Sequence, residues 1–323
     1  MGEIESGWRN ATPANLAKIA KELNCPATRF ERKRAARGPS SEIREKHVMS
    51  QNITVRLGTY NLLNGGGERW RAQAEFLRAQ NLDVLCLQEA KRWDEGGYAR
   101  MLGFADLLGM QPKFAPSSSH KCHLVTFYRW PRVRCTAFHP DVAEGTFHHA
   151  VSRAHLTVDG TELTVLNTHL APFNGHSRAR EADWLTEYGA AGRRVALAGD
   201  LNVQGIVDEE LEDWGVIPAE LHSRHRSQLP DGSYGGSDRL AMAKLLNAGF
   251  TDPVAALGIP VPRTAGYWSD AERWDHRSDH ILLAPGLAPA LTGCEVPDTE
   301  EARGLSDHLP VIVTLELPQA DAA

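Results

Sequence analysis

Between residues 53 and 317 this chain repeats one device: a short apolar run, a polar residue at its end, then a helical pattern or a tight turn. The runs are 53–60, 83–87, 124–128, 150–158, 162–167, 194–198, 281–283 and 311–315. All are short and dominated by apolar residues, with β-branched ones prominent in most, and each is expected to be a strand. Between them, Trp70, Ala74 and Leu77 recur at helical spacing, as do Tyr98, Met101, Leu102, Ala105 and Leu108. Residues 177–188, and a stretch capped by Ser237 that ends at Gly249, also read as helices. Asp159-Gly160 marks a hairpin between two neighbouring strands. Hairpins mixed with crossover helices require mixed sheets, so the expected class is α/β (α+β), not a purely parallel sheet.

The polar residues that end the runs carry the functional signal. Asn61 follows the first strand, and Gln88-Glu89 ends the second. Thr168-His169 ends the second strand of the hairpin, and Gly199-Asp200-Leu201-Asn202 follows the next. Arg277-Ser278-Asp279 opens another, and Ser306-Asp307-His308 precedes the last. One such residue is usually a turn former or a satisfied hydrogen-bond partner. Six sites rich in carboxylate, amide and imidazole point instead to one pocket, because α/β folds gather ligand groups at strand ends. Several acids in one pocket cannot all stay ionised without compensation. A divalent cation supplies it, and oxygen-rich ligands favour Mg²⁺ or Mn²⁺ over zinc.

The pieces Gly58-Thr59-Tyr60-Asn61, Leu87-Gln88-Glu89, Asn167-Thr168-His169-Leu170, Ala198-Gly199-Asp200-Leu201-Asn202, Arg277-Ser278-Asp279-His280-Ile281 and Leu305-Ser306-Asp307-His308 resemble the endonuclease/exonuclease/phosphatase superfamily. Each is weak alone; their order, with an apolar strand after the last, is specific. The resemblance spans nearly everything from residue 53 to 317. It implies a four-layer sandwich of two mixed β-sheets flanked by helices. It also implies roles. Glu89 is the main metal ligand, with Asn61 and Asp307 either on the ion or one layer out. Asp200 orients or deprotonates the attacking water. Asn202 holds that water or a non-bridging phosphate oxygen. His308 contacts the phosphate and transfers protons, held by Asp279, and His169 binds phosphate or protonates the leaving oxygen. Of the two Asp-His pairs, Asp307-His308 is assigned to catalysis, because the long apolar strand follows it; His280 is expected to be a strand residue near the site. An extra phosphate-binding tyrosine or arginine has no clear counterpart, with Tyr98 and Arg129 the only candidates and Tyr128 expected in the core.

Composition bounds the rest. Hydrophobic residues are 42% and charged residues 24%, as in an ordinary soluble globular protein. The five cysteines are scattered, with no zinc-like spacing, which fits a reducing cytoplasm better than a disulfide framework. The acidic N-terminus lacks the apolar core of a signal peptide, and no apolar run approaches a membrane span. Net charge is −6, but residues 1–50 carry ten Lys/Arg and six Asp/Glu, so they are net +4 and the remainder −10. Thr12-Pro13 opens a helical pattern through Leu16, Ile19, Ala20 and Leu23, similar to the last helices of a small helix-turn-helix domain, and Gly38-Pro39-Ser40-Ser41 follows as a linker. Residues 1–48 are therefore expected to be a short helical, basic N-terminal extension, either a tether, a domain remnant or a mis-assigned start ahead of Met49. The catalytic domain is expected over 49–323.

Other motifs carry less. Gly65-Gly66-Gly67 lacks the Lys-Ser/Thr of a P-loop and is expected to be a loop near Asn61. His148-His149 and His120 with His123 lack a third zinc ligand and are expected at the surface. Ser306, Asp307 and His308 are adjacent and cannot form a hydrolase triad. His222, Arg224, His225 and Arg226 fall in an irregular stretch, 213–236, as either a polyanion path or a solvated loop.

The expected function is Mg²⁺- or Mn²⁺-dependent phosphodiester hydrolysis, with nucleic acid as the substrate and no membrane partner. The rivals are a phosphatase or phosphodiesterase for a small molecule or lipid headgroup, which the acidic main domain favours, and a DNA-binding regulator whose hydrolase-like domain is inert. The intact set of strand-end residues opposes the last.

Overall fold

The computed structural model describes residues 52–272, 274 and 276–319. The extension expected over 1–48 lies outside the described residues.

The strands are β1 (Asn52–Asn61), β2 (Val84–Lys91), β3 (Gln111–Ala115), β4 (Cys122–Tyr128), β5 (Val133–His139), β6 (Val151–Val158), β7 (Thr161–His169), β8 (Val195–Asp200), β9 (Arg226–Gln228), β10 (Tyr234–Ser237), β11 (Asp279–Leu283), β12 (Leu291–Glu295) and β13 (Val311–Pro318). The helices are α1 (Trp70–Ala79), α2 (Ala99–Leu108), α3 (Gly175–Leu185), α4 (His222–His225), α5 (Leu240–Asn247), α6 (Pro253–Leu257) and α7 (Glu300–Leu305).

Two mixed sheets are present. One has the order β12-β13-β1-β2-β4-β3 and the other β11-β8-β7-β6-β5. In each, one parallel pair sits among antiparallel ones: β1 with β2, and β7 with β8. The hairpin at Asp159-Gly160 joins β6 to β7 in full register.

The sheets face each other because their inner faces are apolar. Val55, Leu57 and Val313 of one meet Leu156, Val165 and Ile281 of the other in a shared core. On the outer face of the first sheet, Leu85 and Phe127 pack with Leu77 and Phe104 of α1 and α2. On the outer face of the second, Leu166, Leu197 and Leu282 pack with Leu185 of α3 and Leu245 of α5. Helix, sheet, sheet, helix is the expected four-layer sandwich, with apolar burial on both faces of each sheet as the main stabilising term. No helix among the described residues is long and apolar enough to cross a membrane.

Several boundaries differ from expectation. The helix expected over 177–188 starts at Gly175, where the Asn174 side chain accepts from the Ser177 amide at 2.8 Å. Ser237 caps no helix; it ends β10, and α5 begins at Leu240. The stretch 213–236 contains α4 and most of a small β9–β10 hairpin. At Gly199 a side chain is excluded, because a Cβ there would overlap the Thr168 carbonyl on the paired strand.

Candidate active site

Six chain segments meet at one end of the sandwich. Asn61 ends β1, and Glu89 lies near the end of β2. His169 ends β7, Asp200 ends β8, Asp279 opens β11, and Asp307 and His308 lead into β13. All but Asn61 and Asp279 line a cavity of about 320 Å³. Asn61 and Asp279 lie behind it, each touching a residue that does.

The centre is the carboxylate of Asp200. Its Oδ2 accepts from Asn61 Nδ2 at 3.0 Å and lies 3.4 Å from His169 Nε2 and 3.9 Å from His308 Nε2. Its Oδ1 accepts from the Asn202 amide at 3.0 Å. Burial pushes this carboxyl up, but His169, His308 and the two hydrogen bonds outweigh it and hold it below the ordinary carboxylate value.

Behind His308, Asp279 Oδ2 lies 2.8 Å from Nδ1. Asp279 is fully buried, and its amide donates to Thr264 Oγ1 at 3.1 Å. Burial alone would lower the His308 pKa, but the charge and hydrogen bond of Asp279, with Asp200 and Asp307, raise it well above the ordinary histidine value. These charges favour the imidazolium form. Asp200, Asp279 and His308 each bring one atom within 4.8 Å of the others, a possible metal cluster by spacing. Since Asp279 is already spent on His308, the trio is better suited to handling protons than to caging an ion.

Glu89 and Asp307 form the other acidic group. Glu89 takes a left-handed backbone (φ 53°) where the β2–β4 register slips between Leu87 and Ala90. That bulge costs strain, and such conformations cluster at functional sites. Its Oε2 accepts from the Asn64 amide at 2.7 Å, and Asn61 Nδ2 is 3.4 Å from Oε1. Burial pushes the Asp307 carboxyl up; His308 pulls it down, and Glu89 and Asp200 push it up further, leaving it raised. Among the described residues no Lys or Arg forms an ion pair with Glu89, Asp200 or Asp307. Carboxylates that line one cavity without a cationic side chain paired to them fit a hard divalent cation.

Asn202 also has a left-handed backbone (φ 51°), and its Nδ2 donates to Leu170 O at 3.0 Å. Beneath the site, Gln88 Nε2 donates to Asn167 Oδ1 at 2.9 Å, and Asn167 Nδ2 donates to Val125 O at 3.2 Å. These two residues, fully buried, join the sheets under Glu89 and His169. His280 points elsewhere: it is buried, with Nε2 2.9 Å from Val203 O.

Several expectations need correction. His149 and His123 are not surface residues; they are 5% and 3% exposed. His149 stacks on His169 with ring centroids 4.3 Å apart, and His123 Nε2 lies 3.1 Å from Asp94 Oδ1. Tyr98 and Arg129 do not line the cavity; Tyr98 packs on Phe114, and Arg129 donates to Leu82 O. Of the 222–226 group, Arg224 and His225 line the cavity. His222 and Arg226 do not; Arg226 donates to Gly235 O and Tyr234 O.

The wall residues Phe173, Trp274 and His276 were not anticipated. Trp274 and His276 stack with centroids 4.5 Å apart. Their loops carry no periodicity, so no local signal marks them. Buried Arg178 fixes the wall segment, donating to Asp238 Oδ2 at 2.8 Å and Arg224 O at 2.6 Å.

Comparison with known proteins agrees with this geometry. Residues 58–308 match the Endonuclease/Exonuclease/phosphatase family. No curated protein matches the sequence significantly. Among solved structures, an endonuclease/exonuclease/phosphatase from Bacteroides vulgatus superposes with a TM-score of 0.60 at 17% identity, covering 82% of this chain and 99% of that one. An AP endonuclease from Archaeoglobus fulgidus gives 0.57 at 20% identity, covering 81% and 99%. A mannosyl-6-phosphatase from Bacteroides thetaiotaomicron gives 0.52 at 17% identity, covering 80% and 98%. At these identities the likeness establishes the fold.

Proposed function

The chain belongs to the endonuclease/exonuclease/phosphatase family of hydrolytic phosphoesterases, and on that premise we propose that it is a Mg²⁺- or Mn²⁺-dependent phosphodiester hydrolase acting on nucleic acid. One observation carries the reading: Asp200 Oδ2 is approached by Asn61 from one sheet, His169 from the other and His308 from the C-terminal loop. A water-activating carboxylate ringed by donors is what in-line attack on phosphorus needs.

Glu89 and Asp307, with Asn61 beside them, would hold the cation, which when bound neutralises charge on the phosphoryl oxygens. Asp200, kept ionised, orients the attacking water and takes its proton as the new O–P bond forms. The amide nitrogen of Asn202 is engaged by Leu170 O, so its Oδ1 is left to accept from that water. His308, charged against Asp279, sits on the phosphate. His169 lies on the other side of Asp200 and donates to the phosphate or the leaving oxygen. The bond to the leaving oxygen breaks as that proton arrives.

Nucleic acid is favoured by Lys91, Arg224 and the histidines that line the cavity, since phosphate contacts are made by such donors. A small phosphoester is the second reading, favoured by the aromatic wall of Phe173, Trp274 and His276 on one cavity of about 320 Å³. The test is hydrolysis of oligonucleotides, plasmid, bis(p-nitrophenyl) phosphate and inositol phosphates with Mg²⁺, with and without EDTA. Cleavage of the nucleic acids is expected. Release of phosphate from inositol phosphates alone would overturn the substrate assignment, and inactivity on all would overturn the enzyme reading.

A further inference from the structure

Three histidines on the cavity wall have no part in the chemistry above. His148 and His149 come from the segment ahead of β6, and His120 from the turn ahead of β4. With His169 they form a ladder. Ring centroids are 4.3 Å apart for His169 and His149, 4.6 Å for His149 and His148, and 6.2 Å for His148 and His120. The ladder therefore starts beside the reaction centre and ends at an exposed residue.

Serines occupy one nitrogen of each ring. Ser119 Oγ is 2.9 Å from His148 Nε2 and 3.2 Å from His120 Nδ1, and Ser117 Oγ is 3.4 Å from His149 Nδ1. The second nitrogen of each ring has no hydrogen-bond partner among the described residues. No carboxylate pairs with any of the three among the described residues. Glu181, the buried acid beside them, spends both oxygens on backbone amides, of His148 at 2.6 Å and of Ala171 at 2.7 Å. It locks the two segments that carry His148 and His169, and leaves the rings without a counter-charge. Burial first, and the neighbouring imidazoles second, hold His148 and His149 below the ordinary histidine value. At the rim, Phe173 lies 5.1 Å from the His148 ring, and the Arg224 guanidinium stands 5.9 Å over the same phenyl ring.

These three imidazoles have no paired acid, and Arg224, itself 3.8 Å from Glu272, stands at their rim, so the wall suits an oxyanion. Such an anion accepts from ring nitrogens that have no other partner, and its charge favours the protonated form that burial disfavours. A transition metal suits the wall less well: among the described residues these three rings do not bring one nitrogen each within 4.8 Å of one another.

We propose that His120 and His148, backed by His149, form a second oxyanion subsite that takes a phosphate group neighbouring the one being hydrolysed. The preferred substrate then carries at least two phosphates. This rests on the hydrolase reading above.

The test compares pTpT and TpTp with TpT in steady-state kinetics with Mg²⁺, for the wild type and for His120→Ala/His148→Ala. For the wild type, one terminally phosphorylated dinucleotide should show a KM about tenfold below that of TpT, the worth of one charge-assisted hydrogen bond. In the double variant that ratio should fall close to one. Should it fail to fold, His148→Ala alone carries the comparison. Equal KM values for all three dinucleotides in the wild type, or a ratio unchanged in the variants, would overturn the subsite. If the wild type cleaves none, the hydrolase reading is judged on the substrates named above, and the subsite is judged separately by titrating inorganic pyrophosphate against the imidazole NMR signals. A saturable shift of His148 and His149 would support it, and silent signals would end it. Saturation by inorganic phosphate as strong as by pTpT, without a KM advantage for either terminally phosphorylated dinucleotide, would assign a product site and overturn the substrate claim.

Discussion

Asp279, fully buried at the start of β11, holds His308 from the loop before β13 through a 2.8 Å hydrogen bond to Nδ1, which leaves Nε2 turned toward Asp200. The next residue, His280, alternates to the opposite side of its strand and meets Val203 O. Two neighbouring Asp-His sequences, 279–280 and 307–308, are thus sorted by strand pleating.

From this follows the first prediction. His308→Ala should cut turnover by about 10²–10⁴-fold, the usual range for acid/base groups. Asp279→Asn should cut it as well, and the double variant should be scarcely worse than His308→Ala, because the two act as one unit. His280→Ala should keep most of the activity. Steady-state kinetics on the four folded proteins decides; a dead His280→Ala beside an active His308→Ala would reverse the assignment.

Chelation is the second. EDTA should abolish hydrolysis, and Mg²⁺ or Mn²⁺ should restore it. Glu89→Gln should weaken Mn²⁺ binding, read by electron paramagnetic resonance, by more than the roughly tenfold that loss of an outer ligand partner costs. Its melting temperature should hardly move, since Glu89 is half-buried and off the core. Full activity in excess chelator would refute the cation.

The polar bridge between the sheets gives the third. Asn167→Ala removes an acceptor from buried Gln88 and a donor from Val125 O. Gln88 Nε2 keeps Thr59 Oγ1 as an acceptor at 3.0 Å, so each hydrogen bond lost costs about 0.5–1.5 kcal/mol. Urea denaturation should show that loss, together with reduced activity, because Glu89 follows Gln88 directly and His169 lies two residues beyond Asn167. Unchanged stability would mean that the bridge contributes no net energy.

Acid stability supplies the fourth. Burial, then the charges of His169, His148 and His120, bring the His149 pKa down from 6.5 to about 2. The folded form is the weaker base, so below pH 6.5 the unfolded chain binds the proton first. Stability is then lost as pH falls from 6.5 toward 2. Between pH 7.5 and 5.0 this histidine alone should account for about 2 kcal/mol. His149→Gln should flatten the pH dependence by that amount in denaturant titrations at the two pH values; parallel losses would show that His149 is not the group responsible.

The central strands and the residues at their ends were legible in the amino-acid sequence because their causes are local. A buried strand needs an apolar run, Asp159-Gly160 needs no distant partner to turn, and a polar residue that interrupts a run stands out wherever the chain later goes. Five strands escaped this reading: β3, β5 and β12 at the edges of the two main sheets, and the short β9–β10 pair. Unlike β11, an edge strand that is buried throughout, β5 and β12 are only partly covered and carry no apolar run, and β3 even contains Pro112. The boundary at Ser237 failed for a related reason, since only pairing with β9 makes it strand. What tertiary structure alone decided is who meets whom. His120, His149 and His169 are scattered through the sequence, and His149 looked like surface until the fold stacked it on His169. Trp274 and Phe173 come from loops and Arg224 from the short α4, which a distant residue, Arg178, holds through the Arg224 carbonyl. Local patterns dictate strands, turns and which residues end them; the walls around those residues depend on long-range packing and buried ion pairs, which no window of sequence contains.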